Sequence, residues 1–242
     1  MVQVKSGIIL LFFFGIISCT STTKRIYTDQ FENDLSAWVA EYNHDSTVLK
    51  VENSQLEIIA PGGVTLWFKE KLKGDLSISY EAMIIDEGGK YDRASDLNCF
   101  WMANDPQYPD DLFARSAWRN GVFGNYYSLS LYYVGLGGNN NTTTRFRKYD
   151  GDYESFVKER KRPEILGEYT DKGHLITPNV WCKVEIVMSG NKVQYKFNGE
   201  IIFDYTDTQP FHEGYFGLRT VKNHMKIQNF NVVQFIQTYS GK

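Results

Sequence analysis

The sequence predicts an all-β fold in which two antiparallel sheets stack as a sandwich or jelly roll. Three observations predict it. Aromatic residues make up 15% of the chain, with 16 Tyr and 16 Phe, and such side chains favour strands. Short apolar runs are separated throughout by Gly-rich or Asn–Gly breaks. No long segment carries helical periodicity, so many short strands have to bury one another's faces. A chain of 242 residues suits one large β domain better than two.

Taken in order, residues 1–18 read as a lipoprotein signal peptide. Lys5 precedes an apolar run from Gly7 to Ile17 that is short for a membrane span and fits a signal core. Ile16-Ile17-Ser18-Cys19 resembles a bacterial lipobox, which makes Cys19 the lipidated first residue of a protein anchored on the periplasmic face of a bacterial membrane. An ordinary secretory signal with an incidental cysteine is the alternative. Residues 19–26 then form a polar tether, and 27–238 a single jelly-roll domain.

Within that domain the candidate strands are Thr47–Val51, Gln55–Ile59, Val64–Phe68, Leu76–Ile85, Leu97–Ala103, Tyr126–Val134, Thr143–Tyr149, Trp181–Met188, Lys192–Phe197, Ile201–Tyr205, Gly214–Thr220 and Met225–Phe235. Asn198-Gly199 between two of them is a strong two-residue hairpin signal. The charged segment Phe156–Leu166 reads as a loop or short helix.

The net charge of −3 supplies no basic excess, so nucleic acid is not an expected partner. A local arginine cluster can still oppose the global sign and hold an anion. Of three cysteines, Cys99 and Cys182 remain once Cys19 is lipidated, and both sit in strand-like runs. They are expected as buried hydrophobes without a bridge, a disulfide being the alternative in an exported protein. No CxxC or HExxH spacing occurs, and no metal or cofactor is expected.

The stretch from Phe113 to Gly151 carries the most chemistry. Tyr126, Ser128, Ser130 and Tyr132 alternate with Tyr127, Leu129, Leu131 and Tyr133, so Tyr132 and Tyr133 point to opposite faces, one into the core and one into a groove. After a Gly/Asn/Thr turn that places Asn139 at a groove rim, Arg145, Arg147 and Tyr149 share one face. Aromatic rings stack on sugar faces, and guanidinium forks pair with carboxylates or sulfates.

Asp92-Arg93-Ala94-Ser95-Asp96-Leu97-Asn98-Cys99-Phe100-Trp101-Met102-Ala103 resembles the DR-x-SD-x-N-x-FWMA element of a bacterial family of YesU-like proteins. Ala114–Gly124, Tyr132–Gly151, Pro178-Asn179 and Gly214–Thr220 resemble the same family, so the likeness covers most of residues 30–235. The resemblance implies a concanavalin-like jelly roll acting on acidic plant or algal oligosaccharides, alongside rhamnogalacturonan- and ulvan-degrading enzymes. Similar jelly rolls include polysaccharide lyases and an ulvan-oligosaccharide dehydratase.

Elimination from a uronic acid needs a cationic or hydrogen-bonding group on the carboxylate, a base and an acid. The acid/base candidates are His174, Tyr132, Tyr133 and His44, each with a bland alternative as a loop or core residue. The substrate-binding candidates are Arg93, Asn98, Arg115, Arg119, Tyr126, Asn139, Arg145, Arg147 and Arg219. For the arginines the alternative is an ordinary ion pair, such as Arg93 with Asp96. For Asn98 it is a satisfied core amide. The expected activity is a carbon–oxygen lyase, a dehydratase before a polysaccharide lyase, working as a monomer on unsaturated or uronic-acid-containing oligosaccharides in the degradation of an acidic, ulvan-like polysaccharide. A non-catalytic carbohydrate-binding lipoprotein of the same fold is the alternative. A glycoside hydrolase ranks lower, because no E-x-D-x-x-E strand motif occurs.

Overall fold

The computed structural model describes residues 18–240 of the chain, with side chains over 22–236. Its strands in chain order are β1 (Ser18–Asp29), β2 (Trp38–Tyr42), β3 (Val48–Glu52), β4 (Gln55–Phe68), β5 (Leu72–Lys73), β6 (Leu76–Ile85) and β7 (Leu97–Asn104). They continue with β8 (Ser130–Gly137), β9 (Thr143–Asp150), β10 (Ile165–Tyr169), β11 (Cys182–Ser189), β12 (Lys192–Phe197), β13 (Glu200–Thr206) and β14 (Glu213–Ser240). All pair antiparallel.

Two strands belong to both layers. The first part of β14 lies between the second half of β4 and β7 (Gly217 opposite Trp67 and Phe100). Its later part lies between the first half of β4 and β6 (Met225 opposite Ile58 and Ile84). The ladder shifts register between Val221 and Asn223, opposite Pro61 and Gly62, where a residue without an N–H interrupts the pairing. The front sheet therefore runs β2-β4-β14-β7-β8-β9-β10, and the back sheet continues from β14 through β6-β11-β12-β13.

Strand alternation builds the core between the sheets. Cys99 and Trp101 of β7, Tyr132 and Val134 of β8, Phe146 of β9 and Leu218 of β14 meet Ile78 and Tyr80 of β6, Ile186 of β11 and Tyr195 of β12, all buried. The opposite face of the front sheet carries a second apolar cluster. Trp67, Phe100, Leu131, Tyr133 and Tyr149 are covered there by Leu112, Tyr126 and Leu129 of a cap made of short helical turns, including Leu112–Arg115, Ser116–Arg119 and Phe123–Ser128. The cap fixes where the groove opens.

Several expectations are corrected. Tyr126–Val134 is not one strand: Phe123–Ser128 is a 3₁₀ turn, with the Leu129 N–H on Tyr126 O and Ser128 Oγ donating to Asn125 O, and β8 begins at Ser130. Gln55–Ile59 and Val64–Phe68 are one bent strand, as are Gly214–Thr220 and Met225–Phe235. Phe156–Leu166 has the expected helical turn and loop, the end of a π turn (Glu154–Lys158) leading into irregular chain, and differs only at Ile165 and Leu166, which start the edge strand β10. Residues 19–26, expected as a tether, lie in β1, where Thr23 faces Phe235 and Lys24 faces Gln234. Residues 1–17, which fall in the expected signal peptide, and the side chain of Cys19 lie outside the described residues. Cys99 and Cys182 are free thiols, and burial pushes each up to about 12.

Candidate functional site

The uncovered part of the front sheet's outer face forms a groove of two chambers. One, of about 240 Å³, is lined by Tyr127, Gly135, Asn139, Arg145, Arg147 and Arg162 among others. The second, of about 350 Å³, is lined by Asn43, Gly63, Asn98, Gly121, Arg219 and Lys222 among others. Asp96, Phe123 and Tyr133 line both and form the waist between them.

Backbone register assembles the waist. Asn98 of β7 stands opposite Gly135 of β8, and Tyr133 lies two residues along on the same face. The Tyr133 ring leans over Gly135, where a Cβ would sit 2.3 Å from the phenol oxygen. Only a glycine leaves the hydroxyl that position. Burial first, then the charge of Asp96, pushes the Tyr133 phenol well above its usual value.

Arg219 forms the wall of the second chamber from β14. It is 2% exposed, and Nη1 donates to Gly121 O at 2.7 Å and to Thr65 Oγ1 at 3.1 Å. Its guanidinium stacks near Phe123 and Tyr126, at 5.4 and 5.1 Å from the ring centroids. It makes no ion pair among the described residues, and burial penalises its charge. Beside it, Asn98 is 3% exposed; Nδ2 makes only a 3.4 Å contact with Asp96 Oδ1, and Oδ1 is buried without a donor. A buried cation without an acid and a buried acceptor without a donor suit a ligand bearing both a carboxylate and hydroxyls.

The groove thus gathers Tyr133, Asn98, Asn139, Arg145, Arg147 and Arg219 from the sequence candidates. Arg145 and Arg147 are only partly available. Arg145 Nε donates to Glu168 at 2.5 Å, and Arg147 Nη1 donates to Pro163 O.

The other candidates lie elsewhere. Tyr132 points between the sheets, where its hydroxyl donates to Asp207 Oδ2 at 2.5 Å and accepts from the Phe211 N–H. Tyr126 anchors the cap by donating to Glu41 Oε2 at 2.6 Å. Arg119, fully buried, pairs with Glu41 at 2.7 Å and Asp105 at 3.4 Å, and Arg115 grips Asp105 at 2.7 Å; these ion pairs hold the cap to the sheet. Arg93 is spent on Asp96, Asn140 and the carbonyls of Val221 and Lys222. His174 stacks on Tyr169 and pairs with Asp171, while its carbonyl is held by Thr144, which points into the sandwich and not to the groove. His44 is exposed in the loop after β2, its Nδ1 accepting from the Ser46 N–H.

Sequence reasoning passed over Asp96, Phe123, Tyr127 and Lys222 as groove residues. Asp96 was visible only as a partner for Arg93, and the cap turn that carries Phe123 and Tyr127 read as strand. Among the described residues no group of three His, Cys, Asp or Glu side chains has metal-binding geometry, and no helix is long and apolar enough to cross a membrane.

A two-sheet jelly roll with a groove on its front sheet is the class of protein defined here. Residues 58–230 match the family described as "Domain of unknown function (DUF6250)", and the chain belongs to that family. In structure it is similar to a protein of unknown function with a galectin-like fold from Bacillus subtilis, at 15% identity over 91% of this chain and 99% of that chain, with a TM-score of 0.70. It is also similar to the carbohydrate binding module CBM66 from Bacillus subtilis (14% identity, 81% of this chain, 94% of that chain, TM-score 0.52). An endo-beta-1,3-glucanase from Pyrococcus furiosus is a third (11% identity, 89% of this chain, 96% of that chain, TM-score 0.56). At these identities the likeness establishes the fold alone. No curated protein matches the sequence, and the comparisons identify neither a YesU-like nor an ulvan-lyase family.

Proposed function

We propose that the groove binds an acidic oligosaccharide and eliminates a hydroxyl or glycosidic oxygen from the carbon β to its carboxylate. The observation that carries this reading is the buried, unpaired guanidinium of Arg219 in the groove wall. A uronate carboxylate placed on its free Nε and Nη2 supplies the missing countercharge. The same contact stabilises the enolate-like charge that develops when the proton α to that carboxylate leaves. In this reading Tyr133, kept protonated by burial and by Asp96, protonates the departing oxygen. With a hydroxyl as the leaving group the enzyme is a dehydratase; with a glycosidic oxygen it is a lyase.

The fold shared with CBM66 and the resemblance of the Asp92–Ala103 element to YesU-like proteins both support a saccharide ligand. A second reading, a non-catalytic carbohydrate-binding lipoprotein, is favoured by one observation: no histidine lines the groove among the described residues. Mass spectrometry of uronate-containing oligosaccharides incubated with the purified domain separates the two. A product lighter by one water marks dehydration, and shorter unsaturated fragments mark a lyase. Intact oligosaccharide together with binding by calorimetry overturns the eliminating reading.

Lipid anchoring through Cys19 on the periplasmic face of the membrane belongs to the same proposal. Radiolabelled palmitate incorporated by the wild-type chain and not by Cys19→Ala supports it. Equal labelling of the two, or none, removes it.

A further inference from the structure

We propose that Asp96 is the general base of this groove, removing the proton α to the substrate carboxylate through its free oxygen Oδ1 while Tyr133 acts as the acid. The assignment rests on the eliminating reading of the groove and adds the residue that reading lacks.

Asp96 is the one carboxylate among the described residues that line the two chambers, and it lines both of them. The tyrosines there are poor candidates for the base. Burial pushes both Tyr127 and Tyr133 up, so they hold their protons at neutral pH.

The carboxylate is built for unequal use of its oxygens. Oδ2 accepts from Arg93 Nη2 at 2.6 Å and lies 2.8 Å from Ser95 Oγ, whose single proton it shares with Gly137 O at 2.9 Å. Oδ1 has only the 3.4 Å contact with Asn98 Nδ2, too long for a strong hydrogen bond. One oxygen is therefore anchored and the other faces the groove.

The frame behind it is rigid. Arg93 also donates to Val221 O at 2.6 Å, Lys222 O at 2.9 Å and Asn140 Oδ1 at 2.6 Å, which ties three chain segments to one guanidinium. The Asp96 backbone has φ +64°, a left-handed conformation that aspartate adopts more readily than most residues, and its N–H is fixed on Gly137 O at 3.2 Å. Arg93 acts through Asp96 and is a positioning residue.

The step balances without a cofactor. The C–H bond breaks and its proton passes to Asp96 Oδ1, while the electron pair becomes the new C=C bond. The β carbon–oxygen bond breaks, its pair stays on oxygen, and Tyr133 Oη–H protonates that oxygen. Proton transfer from Asp96 to the Tyr133 phenolate through groove water restores both groups.

The test uses the purified protein in D₂O with uronate-containing oligosaccharides. Elimination is read by mass spectrometry and exchange of the α proton by NMR. Asp96→Asn tolerates the left-handed backbone and should keep wild-type melting and binding, while losing both elimination and exchange by about a hundredfold or more. Tyr133→Phe should lose elimination and retain exchange, because proton removal no longer leads to bond cleavage. Asp96→Glu, which keeps a displaced carboxylate, should recover part of the exchange. Undiminished turnover in Asp96→Asn overturns the assignment alone. So does a loss of turnover fully explained by lost binding. A wild-type protein that binds the oligosaccharide but neither eliminates nor exchanges sinks the eliminating reading, and the assignment with it.

Discussion

The Tyr133 hydroxyl lies directly over Gly135, 2.3 Å from where a Cβ would be. The Tyr133 ring and Gly135 are a matched pair on β8, and the pair sets the height of the phenol in the groove. Gly135→Ala should push the hydroxyl away while leaving the ladder intact, because Gly135 keeps an ordinary backbone conformation. The expected result is a loss of turnover of about a hundredfold, the low end of what a misplaced acid costs, with unchanged strand content by circular dichroism. Wild-type turnover in this variant would contradict the placement of Tyr133.

Arg219 should matter for charge and for geometry. Arg219→Lys retains a cation but loses the fork, and affinity for an acidic oligosaccharide should fall by about 1.5–3 kcal/mol. Isothermal titration calorimetry measures it, and a Kd within twofold of wild type would argue that the ligand does not reach this guanidinium.

Arg119 should matter for stability instead. It is fully buried between Glu41 and Asp105, so Arg119→Met leaves Glu41 buried without its cation. The expected cost is about 3–5 kcal/mol in urea denaturation. A variant of wild-type stability with weakened sugar binding would return Arg119 to the role of a substrate clamp.

The two thiols should be silent in the native state. Burial pushes Cys99 and Cys182 to about 12, so at pH 8 almost no thiolate is present to react. Ellman's reagent should report them only after unfolding; prompt reaction of either would show that its surroundings open.

Asp207 gives a pH signature. Burial alone would raise its carboxyl, but hydrogen bonds from Lys148 and Tyr132 prevail and hold it below the usual 3.8. A depressed folded value adds stability above pH 3.8 that is lost as the pH falls toward that lower value. Asp207→Asn should therefore lower stability at neutral pH and shrink the acid-side loss. An identical acid profile in the variant would show that Asp207 does not contribute.

Much of the fold was legible because its signals are local. Leu76–Ile85 and Lys192–Phe197 alternate cleanly and end at Gly or Asn–Gly turns, and both strands have the expected bounds. Cap residues 112–128 were not legible. The front sheet is apolar on both faces, so Tyr126 and Tyr127 look like strand alternation, although packing of Tyr126 on Trp67 and Phe100 and of Tyr127 on Phe123 and Tyr149 holds them in a helical turn. The site divides similarly. Tyr133, Arg145 and Arg147 follow from alternation, whereas the fates of Arg115 and Arg119 depend on Glu41 and Asp105, which are distant in sequence. The isolation of Arg219 depends on finding no such partner. Asp96 looked like half of an ion pair, and only its position at the waist gives it a free oxygen.

Calorimetric titration of the wild-type protein with a uronate-containing oligosaccharide and with its carboxyl-reduced counterpart tests the central claim most directly. The acidic ligand should bind and the reduced one should bind at least tenfold more weakly, since a buried guanidinium is then left without its countercharge. Equal affinity for the two would contradict a groove organised around Arg219.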